Sequence, residues 1–123
     1  MKIVTTKAGA LRVNADVVQS VQELLSLIRF KSGVKRTNEI AEALSYILTS
    51  SADHAYDGEY VYMNMPDDIR KKKKIVMEEF VNCFGIGSWE VQDAEKVINK
   101  LMNIGVEHGE KIRQFAFLRD GIN

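Results

Sequence analysis

Apolar residues recur at three- and four-residue steps through Val17, Val21, Leu24 and Ile28, with Val18 and Leu25 beside them, and the pattern stops at Ser32-Gly33. That spacing draws one apolar stripe along a helix, and glycine adopts the left-handed backbone that closes one. A second stripe follows in Ile40, Ala43, Leu44, Ile47 and Leu48, with Thr37 or Asn38 as the expected N-cap. The sequence therefore predicts two amphipathic helices joined by a glycine turn. Ahead of them, "KIVTTKAGALRV" alternates and breaks at Ala8-Gly9, which reads as a short hairpin or one bent strand. Asn14 and Asp16 supply capping chemistry for the first helix.

After the polar loop "SSADHAYDGE" the pattern begins again. "EYVYMNM" alternates like a strand, Pro66 follows, and Asp67-Asp68 put negative charge in a first helical turn, where the dipole favours it. The helix runs to Gly85, and Ser88 caps another with Val91, Ala94, Ile98 and Leu101 on one face. Displaced by 52 positions, Val17 falls on Ile69, Leu24 on Val76, Ile28 on Phe80 and Gly33 on Gly85; one deletion later Ala43 meets Ala94 and Ile47 meets Ile98. Each unit reads strand, helix, glycine turn, helix. The expected fold class is α+β, predominantly helical: a first unit over 1–52, a polar loop over 53–59, and a second unit over 60–123. The last segment, "VEHGEKIRQFAFLRDGIN", is expected as a short helix or a strand-like tail, with Gly109 as the complication.

Seventeen basic residues balance seventeen acidic ones, which argues against indiscriminate nucleic-acid binding. Residues 1–50 nevertheless hold seven basic to four acidic, and residues 51–123 ten to thirteen. A single cysteine, Cys83, forms no internal disulfide or zinc site by itself, and no apolar run reaches the length of a signal peptide or a membrane span. A cytoplasmic setting without a membrane partner is expected.

The pieces "ALRVNADV", Gly33, "KRT" and "EIAEAL", and again "VYMNMPDDI", Gly85, Ser88 and "VQDAEKVI", resemble the ribbon-helix-helix family of DNA-binding proteins. The tandem layout is similar to conjugative-plasmid relaxosome proteins carrying two such units, although the first helix is about one turn longer than is usual there. The resemblance implies a strand ribbon in the major groove of double-stranded DNA, with Arg12 reading guanine and Asn64 and Tyr62 on the equivalent strand. Lys35, Arg36 and Thr37, with Lys31 nearby and Ser88 in the second unit, would meet phosphates. On ordinary grounds the same residues are solvated turn and hairpin positions. "KKKK" at 71–74 spreads around a helix and cannot follow one phosphate track.

Nothing argues for an enzyme: Cys83 lies on an apolar helix, His54 and His108 carry no signature linking them to it, and "DHAYDGE" matches no metal motif. No metal or cofactor is expected. Trp89, Phe115 and Phe117 are candidates for a partner-binding patch, or for completing a small core or a dimer face. The functional expectation is a sequence-specific DNA-binding regulator such as a repressor, homodimeric, of a bacterial mobile element or phage. The alternative is a protein-interaction module or inhibitor that binds a host or defence protein through the acidic, aromatic-bearing C-terminal half.

Overall fold

The computed structural model describes residues 2–59 and 64–122, apart from the side chains of Phe117 and residues 119–122. Its elements in chain order are β1 (Lys2–Thr6), β2 (Gly9–Val13), α1 (Ala15–Tyr56), α2 (Asp67–Phe84) and α3 (Trp89–Ile122). No helix among the described residues is long and apolar enough to cross a membrane.

β1 and β2 pair antiparallel, with Lys2 opposite Val13 and Thr6 opposite Gly9, so the loop is Lys7-Ala8. The Thr6 hydroxyl donates to the Gly9 carbonyl and accepts from the Ala8 N–H, which holds the turn closed. Leu11 and Val13 face inward and are buried; Arg12 faces outward opposite the exposed Ile3. Among the described residues this is the one strand pair, and both strands belong to the first unit. The second expected strand falls largely on residues 60–63, outside the described residues, and Asn64 stands at a bend. A tandem strand-helix-helix layout is thus not what the described residues form: they form one hairpin and a set of helices.

α1 is bent back at Gly33, whose φ of 79° and ψ of 179° are non-helical. Residues 15–32 form an outgoing arm and residues 34–56 a return arm. The second helix pair repeats the device, with Gly85 at φ 91° and ψ 152° between α2 and α3. The residues matched by the 52-position displacement are buried in both pairs: Val17 and Ile69, Leu24 and Val76, Ile28 and Phe80, then Ala43 and Ala94, Ile47 and Ile98. They meet in a single core together with Leu11 and Val13 of the hairpin.

Two capping expectations are corrected. Asn14 occupies the N-cap position of α1, yet its side chain caps nothing; its carbonyl takes the N–H groups of Val17 and Val18 instead. Thr37 is not an N-cap either. Gly33 reverses the chain within one residue, so the return arm restarts at once and Thr37 sits buried in its first turns, donating 2.7 Å to the Gly33 carbonyl. Ser88 does cap α3, accepting from the Val91 N–H at 3.3 Å.

The C-terminal segment is one continuous helix, neither short nor strand-like. Gly109 does not break it because its role lies across the helix interface. A Cβ on Gly105 would fall 2.5 Å from the Leu48 carbonyl oxygen, and one on Gly109 would fall 2.2 Å from that of Ala52. The return arm answers with small residues at Ser51, Ala52 and Ala55, all buried. The two backbones therefore approach closer than any side chain allows. Ser51 is fully buried, and its hydroxyl has no partner among the described residues, so size rather than polarity fits it there.

Gly109→Ala is expected to destabilise the protein by about 1–3 kcal/mol, because the clash is with backbone and overrides alanine's better helix propensity. Ser51→Ala is expected to be neutral or stabilising, since it removes a buried unpaired hydroxyl without changing the contact. Urea denaturation midpoints of the two variants check both.

Candidate binding surface at the turn end

Both glycine turns lie at the same end of the bundle. The outgoing arm reaches Gly33 there and α2 reaches Gly85 there, and side chains tie the two turns together. The Ser32 hydroxyl donates to the Glu79 carboxylate, whose second oxygen pairs with Arg36 Nε at 3.1 Å. Arg36 also pairs with Glu39 at 2.7 Å. Lys31 Nζ lies 6.0 Å from the centroid of the Phe84 ring. The Ser32 hydrogen bond holds the Glu79 pKa below the ordinary carboxylate range; burial opposes it and the Arg36 pairing adds to it.

Around this framework stand four large, exposed apolar side chains: Phe30 is 94% exposed, Ile86 89%, Trp89 60% and Val34 55%. Arg29, Lys31 and Lys35 are exposed beside them, and none of the three has an ion-pair partner among the described residues. Trp89 continues the surface downward, since it heads a groove shared with Leu27, Glu23, Asp93 and Lys96.

The residues expected to touch DNA divide between two ends. Lys31, Lys35, Arg36, Thr37 and Ser88 come together at the turns, but with different freedom. Lys31 and Lys35 are exposed, Arg36 is held by Glu39 and Glu79, Thr37 is buried, and Ser88 is engaged as a cap. Arg12 and Asn64 lie at the opposite end, before α1 and α2 respectively, a full outgoing arm of about 27 Å away from Lys35. Tyr62 lies outside the described residues. The aromatic candidates are likewise split. Trp89 opens α3 and the exposed Phe115 lies near its far end, roughly 39 Å on, so they do not share a patch. The side chain of Phe117 is outside the described residues. Phe30, Val34 and Ile86 were not singled out by spacing, because each interrupts a stripe rather than forming one. Their signal is an apolar residue flanking a turn glycine.

The opposite end carries a polar cluster that spacing does not reveal. Asp68, in the first turn of α2, accepts from Ser50, from Tyr46 at 2.9 Å and from His54 Nε2 at 3.0 Å, while His54 Nδ1 meets Glu59 at 2.6 Å. Carboxylates only accept, so a histidine between two of them holds a proton on each nitrogen. Burial pushes the Asp68 pKa up, but the bonds from Ser50, Tyr46 and His54 outweigh it and bring it down to about 2. Burial pushes His54 down, and Glu59 and Asp68 outweigh that, raising it. Residues 53–56 belong to the last turn of α1 rather than to a loop. The nearby hairpin is tied on by Lys7, which pairs with Asp57 at 3.0 Å. This cluster clamps the start of α2 to the return arm of α1, with the Ser50 hydroxyl bonding the Asp68 carboxylate rather than the imidazole. Among the described residues no group of His, Cys, Asp and Glu is arranged to hold a metal. His108 lies well down α3 from the turn end that holds Cys83. Of the lysine run, Lys72 lies 5.2 Å from the Tyr46 ring centroid and Lys74 pairs with Glu78.

Comparison with known proteins gives no further guide: no family model, no curated protein and no solved structure matches this chain.

The clamp predicts a two-sided pH dependence. Asp68 is depressed from 3.8 to about 2, so its contribution is present above 3.8 and is lost as pH falls toward 2. His54 is raised above 6.5, so its contribution is present below 6.5 and is lost as pH climbs through the folded value. Denaturation midpoints measured from acid to mildly alkaline pH should show both limbs, and Asp68→Asn should flatten both.

Proposed function

We propose that this chain is a non-enzymatic binding module that engages an anionic macromolecular surface with its turn end. One observation carries the reading: Phe30, Val34, Ile86 and Trp89 stand exposed at the same end as the unpaired Arg29, Lys31 and Lys35. Leaving four large apolar groups in water forgoes about 1.5–3 kcal/mol for each that could be fully buried, and exposed apolar groups gathered at one end of a molecule mark an interaction site. The cations set the sign of the partner.

Double-stranded DNA, the partner of a sequence-specific regulator, is the second reading. It is favoured by the exposure of Lys31 and Lys35 next to a helix start. Its weakness is that Arg12, the intended base reader, sits an arm's length from them.

The reading predicts retention on two simple matrices. Heparin-agarose should hold the wild type to higher salt than the Lys31→Ala/Lys35→Ala double variant, while Arg12→Ala elutes with wild type. Phenyl-agarose should retain the wild type more strongly than Phe30→Ser/Ile86→Ser. If all variants elute with wild type on both, the turn end is not a binding surface.

A further inference from the structure

Resting on the reading of the turn end as the binding surface, we infer that its partner is an anionic lipid bilayer, on which the molecule stands end-on as a peripheral protein. Three features select a bilayer over other anionic surfaces.

The first is shape. The two turns close one end of the molecule, and beside them Phe30 and Ile86 stand almost wholly exposed. A folded protein partner would have to supply a matching cavity for each of these wedges. The acyl boundary of a bilayer needs no such match, because it deforms around whatever enters.

The second is the pairing of residue types. Trp favours the membrane interface, where its aromatic body meets apolar chains and its N–H edge meets headgroups, and Phe suits the apolar face that enters the acyl boundary. Trp89 has this amphipathic setting, with a half-exposed ring above a groove that holds Lys96 and Asp93. A DNA duplex takes apolar side chains singly, as wedges between base steps, whereas a bilayer accepts all four apolar groups together.

The third is charge. Arg29, Lys31 and Lys35 flank the wedges within about one helical turn, at the height that headgroup phosphates would take. The acidic residues nearest the turns are already engaged: Glu39 and Glu79 both pair with Arg36. Glu90 and Asp93 are the carboxylates at the start of α3, both half-buried, and Asp93 shares its groove with Lys96. The excess cations are therefore free to attract phosphatidylglycerol or phosphatidylserine. A second copy of the chain is a poor occupant, because turn end against turn end sets the same three cations against each other.

Trp89 is the only tryptophan, so its own emission reports the event. The full chain is titrated with phosphatidylcholine vesicles, with and without a phosphatidylglycerol fraction, and binding is confirmed by flotation. The expected result is a blue shift of Trp89 emission and flotation with the anionic vesicles, weakened by salt, and neither with pure phosphatidylcholine. Lys31→Ala/Lys35→Ala should weaken binding by about thirtyfold, at roughly one decade and a half for two surface cations. Phe30→Ser/Ile86→Ser should abolish the flotation, and Arg12→Ala and Phe115→Ser at the other end should change nothing. The substituted side chains are exposed, and unchanged denaturation midpoints verify that the variants fold. Several results would overturn the inference: no flotation with anionic vesicles, equal binding to neutral ones, or flotation indifferent to the turn-end variants. Vesicle failure with heparin and phenyl retention intact removes the bilayer and leaves the binding end standing. A Trp89 shift on adding duplex DNA but not vesicles would assign the end to DNA.

Discussion

The close approach of α3 to the return arm of α1 governs how the rest of this molecule is arranged. Two glycines one helical turn apart, Gly105 and Gly109, let backbone meet backbone where Leu48 and Ala52 present their carbonyl oxygens. Such a contact tolerates little sliding, because a step of one residue would bring a side chain against the partner helix. It fixes the height of α3, and α3 is joined to α2 through the Gly85–Ser88 turn. Once that height is set, the second turn has to lie level with the first, and the side chains of Ser32, Arg36 and Glu79 then find one another. Leu101, Met102 and Val106 flank the seam and complete the core on either side of it.

Much of this is legible in the sequence, and the parts that are not share a cause. Apolar periodicity specifies both helix pairs and the residues that become core. Gly33 and Gly85 specify the turns, because each needs a positive φ. The expected displacement of 52 positions reappears as paired burial. What periodicity cannot express is contact between elements distant in sequence. Gly109 reads as a helix breaker when only its own segment is considered, and as a packing residue once Ala52 lies against it. Asp68 reads as a first-turn carboxylate, yet three donors from α1 converge on it. Thr37 reads as a cap because the length of a turn is not written in composition; Gly33 makes that turn in one residue.

The same limit applies to the surface. Charge and short motifs suggest a ribbon whose arginine and phosphate-gripping turns act together, and the outgoing arm of α1 separates them. A search for membrane contact by apolar runs detects only segments that span, and a peripheral end assembled from Phe30, Val34, Ile86 and Trp89 leaves no run to find. The molecule has two chemically different ends. One carries a polar clamp of Tyr46, Ser50, His54, Glu59 and Asp68 that uses its hydrogen bonds internally, and the other leaves Phe30, Val34, Ile86 and Trp89 exposed beside Arg29, Lys31 and Lys35, which make no ion pair among the described residues. Binding is proposed for the second because those exposed apolar groups stand beside cations that form no ion pair there.

The most direct test of this account is the distance between the two turns. Spin labels at Val34→Cys and Ile86→Cys, in a Cys83→Ser background, would be compared with labels at Arg12→Cys and Ile86→Cys by pulsed electron resonance. The account predicts a short separation for the first pair and one longer by about an outgoing arm, near 27 Å, for the second. A short distance between positions 12 and 86, or a long one between 34 and 86, would contradict it, because the turns would then not share an end.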